Sequence, residues 1–163
     1  MTARRLRWLV ALLVVGLVGC DQGTKVAAGS ALGGGDSVTV VPGVLDLHYA
    51  ENRDSAFSVF RALGIRPSRA LLTILPLATL GFVVVFWWRR RRIAGKLEHL
   101  AFAVTAAGAL GNLVDRIFRG YVIDFICLHG WPVFNVADMA IVAGAILLGL
   151  SALSFGRSPP APF

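Results

Sequence analysis

The sequence predicts an all-α membrane protein, a bundle of four transmembrane helices with a small β-rich domain outside the membrane between helices 1 and 2. Three observations carry this prediction. Hydrophobic residues make up 56% of the 163 residues and mean hydropathy is +0.73, above the roughly 45–50% of ordinary soluble domains. Four apolar segments recur along the chain, at about residues 6–26, 70–88, 97–118 and 134–155, each near the roughly 20 residues a crossing needs. The basic residues cluster beside those segments, at Arg4, Arg5 and Arg7 and again from Arg89 to Arg92 with Lys96. The formal charge of +7 is therefore topology information, and no nucleic-acid partner is expected.

The first segment looks like a lipoprotein signal, because a basic start and an apolar run lead into Leu17, Val18, Gly19 and Cys20. A lipid-accepting Cys20 would leave a soluble domain behind it, yet three more apolar segments follow. Trp8 to Cys20 alone is short for a crossing, but a helix continued through Val26 is long enough. Asp21 and Lys25 then fall i, i+4 on one face. They are either a surface ion pair at a helix end or a polar contact turned into the bundle.

An outer insertion at about 29–68 follows. Val, Leu and Tyr dominate Ser37 to Asn52, and Pro42 and Gly43 mark a turn between two candidate strands. The insertion ends in Glu51, Asn52, Arg53, Asp54, Ser55, Ala56, Phe57 and Ser58, a polar cluster running into an apolar one. An amphipathic loop lying on lipid headgroups would have the same pattern.

The second span tolerates Pro76, as membrane helices do, and closes on Trp87, Trp88 and the arginine run. The third carries small residues from Ala101 to Gly111 that permit close helix approach. Its end places Asn112, Asp115, Arg116 and Arg119 on a single face at i, i+3, i+4 and i+7. Asp124 stands alone in the apolar string Tyr121 to Leu128. Before the fourth span, Asn135 is placed to be an N-cap with Asp138 three residues on, which accounts for both without any function. The whole is one membrane domain over residues 1–157 with a flexible tail at 158–163. Cys20 and Cys127 are too few for a disulfide framework and are expected to be free.

Four spans with both arginine clusters inside put both termini in the cytoplasm. Asp21, Glu51 to Ser58, Asn112, Asp115, Arg116, Asp124, Asn135 and Asp138 then collect at the outer membrane face. Polar groups at membrane depth are costly, so their shared depth argues for a site. Ser55 and Ser58 lack an evident base for nucleophilic catalysis. A metal site on the aspartates with His129 is a weaker alternative, because no histidine pair has helical ligand spacing; no metal and no cofactor are expected. Two aspartates in a partly apolar site can share a proton and act together as general base and acid. Spacing does not choose the pair from Asp115, Asp124 and Asp138. Asp115 has Arg116 and Arg119 beside it to keep it ionised, which favours Asp124 with Asp138.

These residues resemble the lipoprotein signal peptidase family, signal peptidase II, membrane aspartyl peptidases of bacteria. The resemblance rests on Asp21, Gln22, Thr24 and Lys25; Glu51, Asn52, Ala56, Phe57 and Ser58; Gly111, Asn112, Asp115, Arg116, Gly120, Val122, Asp124 and Phe125; and Phe134, Asn135, Ala137, Asp138 and Ile141. It implies that Asp124 and Asp138 are catalytic. Asn52, Asn112, Arg116 and Asn135 would belong to the surrounding polar site, with Asp21, Lys25, Asp115 and Phe57 in support. It also implies a substrate, a prolipoprotein with a diacylglyceryl cysteine, cut just before that cysteine in the inner membrane with the site toward the periplasm. A monomer in contact with membrane lipids is expected. Asp54 and Ser55 depart from the family, which has a glycine and a small apolar residue there. The resemblance makes Cys20 a packed helix residue. A small proton-coupled transporter is the alternative, but it needs acids at successive depths, and Glu98 is the only acid on the inner side.

Overall fold

The computed structural model describes residues 3–53 and 68–155. Four of its helices are long and apolar enough to cross a membrane, over Trp8–Leu32, Ala70–Arg90, Lys96–Phe118 and Val136–Leu153. The chain order is α1 (Ala3–Leu32), β1 (Ser37–Val41), β2 (Leu45–Asn52), α2 (Arg69–Arg90), α3 (Lys96–Phe118), β3 (Val122–Leu128) and α4 (Val136–Phe155). The expected positions of Asp54, Ser55, Phe57 and the tail lie outside the described residues.

The central helix is α3, which packs against each of the other three. Ala101, Phe102, Ala107, Ala109 and Leu113 are buried along it, whereas Leu12, Phe82 and Leu153 on the outer helices face outward, as lipid-facing residues do. Glycine brings α3 and α4 together. A Cβ on Gly108 would lie 2.3 Å from the Ala137 carbonyl oxygen, and one on Gly144 would lie 2.1 Å from Thr105 Oγ1. Close backbone approach through small residues is how helices associate where lipid removes the hydrophobic drive. At the basic end, Trp87 Nε1 donates to His99 Nδ1 at 2.9 Å and Arg90 pairs with the buried Glu98, joining α2 to α3.

The outer region differs from expectation in two ways. Helix α1 continues to Leu32, six residues past the expected span end at 26, and stops at Gly33 to Gly35, where Gly35 takes a φ of 93°. The added turns hold because Ala28 and Leu32 pack against Ile123 and Phe125 in a small core with Tyr49 and Val136 at its edge. Those packing partners come from the second difference. The sheet is not confined to the insertion between helices 1 and 2. The β1–β2 hairpin turns at Gly43, φ 72°, and β3 pairs antiparallel with β2 as a third strand supplied after α3. The string Val122 to Leu128 is β-branched and aromatic and too short to span, so it suits a buried strand.

Cys20 is also corrected. It lies inside α1, but its side chain is exposed on the helix exterior and is not packed. Cys20 and Cys127 are free cysteines.

Candidate active site

Asp124 reaches its position through the sheet. A register shift in β2 sets Leu47 opposite Ile126 but Ala50 opposite Asp124, so β2 takes one more residue than β3 over that interval. This bulge reverses which residues of β2 share a face with Asp124. Asn52 consequently lies on the Asp124 face, and its Nδ2 donates to Asp124 Oδ2 at 2.8 Å.

Asp138 reaches its position through the start of α4. Asn135 Oδ1 accepts from the Asp138 backbone N–H at 3.0 Å, and Asp138 Oδ2 accepts from the Asn135 backbone N–H at 3.2 Å. This reciprocal pattern satisfies two end donors of a helix. The capping account of these residues is therefore correct, and their side chains also join Asp124 and Asn112. Asn135 Nδ2 donates to Asp124 Oδ1 at 2.6 Å and to Asn112 Oδ1 at 3.1 Å, while Asn112 Nδ2 donates to Asp138 Oδ1 at 2.8 Å. Each oxygen of the two carboxylates accepts at least one N–H. Arg116 is half-buried on α3, and its positive charge is attracted by Asp138, Asp124 and Asp115.

Asp124 is 2% exposed. Burial pushes its carboxyl up to about 6 from the ordinary 3.8; Asp138 adds to this, and the bonds from Asn52 and Asn135 oppose it.

Asp21 and Lys25 are not a surface pair. They are 1% and 0% exposed. Lys25 Nζ donates to Asp21 Oδ2 and Asp115 Oδ2, each at 2.8 Å, and to Asn112 Oδ1 at 3.1 Å. Asp21 Oδ1 accepts from the Ala137 backbone N–H at 2.9 Å, so α1 supplies a cap to α4. Asp115, 0% exposed, also pairs with Arg119 and accepts from the Ile123 N–H at 3.3 Å. Its direct ion-pair partners are Lys25 and Arg119, and Arg116 adds a further attraction; helical spacing within α3 had no means of indicating Lys25.

Gln22 was missed as a site residue. Its Nε2 donates to Asp115 Oδ1 and to the Gly111 carbonyl, both at 3.1 Å, and its Oε1 accepts from Arg119 at 2.8 Å. The only sequence signal was its place between Asp21 and Lys25 in the quoted motif. His129, weighed as a metal ligand, has its Nε2 2.7 Å from Asp46 Oδ2 just past the end of β3. Among the described residues no group of three or more His, Cys, Asp and Glu side chains is arranged so that it could hold a metal ion. Phe57 lies outside the described residues.

Four apolar helices around a buried carboxylate and amide centre define a multi-pass membrane protein with a polar site at one end of its bundle. A model of the family described as signal peptidase (SPase) II matches residues 13–154. The lipoprotein signal peptidase of Syntrophomonas wolfei is 44% identical over 123 residues, covering 75% of this chain and 77% of that protein. That of Mycobacterium tuberculosis is 38% identical over 151 residues, covering 89% and 70%. A bacterial membrane enzyme solved by the in meso method at 2.3 Å superposes with a TM-score of 0.79 at 25% identity, covering 95% of this chain and 93% of that one. A second, at 1.9 Å, gives 0.76 at 29% identity, covering 89% and 92%. The chain belongs to the signal peptidase II family.

Proposed function

We propose that the chain is the membrane aspartyl endopeptidase that removes the signal peptide from bacterial prolipoproteins, with Asp124 and Asp138 as its catalytic pair. The peptidase activity and the prolipoprotein class follow from family membership. The observation that carries the aspartate assignment is the bonding of Asn135 and Asn112 to both carboxylates where β3 meets the start of α4.

Two buried carboxylates that repel each other and are joined through Asn135 do not both ionise freely, so the pair holds one proton between them. The ionised member takes a proton from water as its oxygen attacks the scissile carbonyl. The protonated member donates to the developing oxyanion and then protonates the departing amine. Arg116 faces the pair with a fixed positive charge. Asn52, Asn112 and Asn135 hold the carboxylates in place, and Phe57 is assigned to substrate contact. The substrate carries a diacylglyceryl cysteine and is cut just before it; a site at the bilayer edge admits such a lipid laterally. The arginine clusters support cytoplasmic termini, an inner-membrane location and a periplasmic-side site. A monomer suffices, since both carboxylates come from one chain.

A transporter reading finds no support among the relatives. Among the buried acids, Asp21, Asp115 and Asp124 gather at one end of the bundle. Glu98 lies fourteen residues before Asn112 on α3, about 21 Å along the axis, and is engaged by Arg90.

The test is cleavage of a diacylglyceryl-modified prolipoprotein by the purified protein, beside the unlipidated precursor, Asp124→Asn, Asp138→Asn and a chelator. Cleavage of the lipidated form alone, lost in both variants and unaffected by chelator, is expected. Full activity in either variant would remove the pair assignment.

A further inference from the structure

We infer that Lys25 is a positioning residue for the aspartate pair, acting through Asn112 to fix the direction of the hydrogen-bond chain that ends on both carboxylates. The inference rests on the reading of Asp124 and Asp138 as that pair.

A lysine ammonium has three donors and no acceptor. Lys25 spends them on Asp21, Asp115 and Asn112, and at 0% exposure it has no contact with bulk water. Only an oxygen can face it, so the Asn112 amide must present Oδ1 to Lys25 and its NH2 end to Asp138. The same Oδ1 accepts from Asn135 Nδ2. The Asn135 amide must then direct its NH2 end to Asn112 and Asp124, leaving Oδ1 for the Asp138 backbone N–H. Lys25 thereby orients the Asn112 amide directly, while the Asp138 backbone N–H orients that of Asn135, and each amide delivers an N–H to a different aspartate.

An amide has nearly the same shape in either orientation but the opposite polarity. Without the ammonium, an Asn112 turned end for end would aim its oxygen at Asp138 Oδ1, an arrangement tolerated only when that oxygen carries the proton. The position of the pair's proton would then be set by the amide instead of by the reaction.

Lys25 also ties α1 to α3 and α4, so a purely structural role has to be separated from a positioning one. Lys25→Met alone leaves Asp21 buried without its cation. Combining it with Asp21→Asn deletes one charge of each sign, keeps an oxygen for the Ala137 N–H, and leaves Asp115 with Arg119. This double variant, Asn112→Ala, and the three changes together are assayed for kcat and KM on lipidated prolipoprotein, with thermal unfolding to confirm folding. The double variant is expected to lower kcat about 100-fold, as small misplacements of reacting groups do, with KM within about twofold. In the Asn112→Ala background it should lower kcat no further, because the path is already cut.

A folded double variant with wild-type kcat would overturn the inference, and so would effects that multiply fully. If the methionine variant does not fold, Lys25→Gln with Asp21→Asn places a neutral amide there, which can face Asn112 with either end. Its kcat is expected to fall, and an unchanged value overturns the inference equally. Asp124→Asn is run in parallel: activity there would fail the aspartate reading itself, whereas an inactive Asp124→Asn beside a fully active Lys25 variant fails only the positioning role.

Discussion

Asn135 donates its side-chain N–H to Asp124 at 2.6 Å, and the same residue is the first cap of the helix that carries Asp138. The cap and the candidate site are therefore one structure, and substitution can separate them. Serine caps a helix about as well as asparagine but is too short to hold Asp124 from that position. Asn135→Ser is expected to keep thermal stability within a few degrees while cleavage falls about 100-fold or more. Asn135→Ala, losing the cap as well, should lose about 1 kcal/mol further. Thermal unfolding and kcat on each variant check this; a fully active Asn135→Ser would show that the bond to Asp124 is dispensable.

The bulge in β2 makes a second prediction. Three steps from Leu47 to Ala50 match two from Ile126 to Asp124. Deleting His48 removes the additional residue and turns Asn52 to the opposite face from Asp124. Cleavage by the deletion variant is expected to fall at least as far as in Asn52→Ala, which removes the amide without moving the strand. A deletion variant retaining more activity than Asn52→Ala would mean that the register does not position the site.

The four spans and their basic flanks were legible because composition and length report membrane crossing directly. The aspartates were legible for a related reason, since an acid such as Asp124 in an apolar string needs an explanation. Other features were hidden by their dependence on tertiary contact. A buried strand and a short helical stretch have the same apolar pattern, so nothing local showed that Val122 to Leu128 would join a hairpin seventy residues earlier. The end of α1 was equally obscure, because Ala28 and Leu32 remain helical against β3. Asp21 and Lys25 at i, i+4 fit a surface pair and a buried one alike; Asp115 and Asn112, from another helix, decide between them.

The raised Asp124 carboxyl, about 6 against an ordinary 3.8, predicts pH effects on activity and on stability. The pair works with one proton shared between its members, so kcat/KM is expected to change near pH 6, where Asp124 titrates. Between those two values the folded chain retains a proton that the unfolded chain releases. This group's contribution to stability is therefore complete below pH 3.8, declines as pH rises, and is gone above about 6, a change of about 3 kcal/mol. Asp124→Asn should abolish that component. Unfolding midpoints of wild type and variant between pH 4 and 7 measure it, and parallel curves for the two proteins would contradict it.

The contact of α3 with α4 predicts which glycines tolerate a methyl group. At Gly108 the added Cβ would meet the Ala137 carbonyl oxygen at 2.3 Å and Ile141 Cγ1 at 2.8 Å. The first of these is backbone, and Ala137 immediately precedes Asp138, so relief requires moving the start of α4. Gly108→Ala is expected to destabilise by about 1–3 kcal/mol, the usual range for overpacking, and to lower kcat together with stability. At Gly111 the Cβ would lie 2.7 Å from Asp21 Oδ2, the oxygen that holds Lys25, so Gly111→Ala should impair kcat more than its loss of stability suggests. Gly81 on α2 has nothing within 4 Å of such a Cβ, and Gly81→Ala should change neither property. Unfolding midpoints and kcat for the three variants test the ordering. Equal tolerance at Gly108 and Gly81 would mean that α3 and α4 are free to separate without disturbing Asp138.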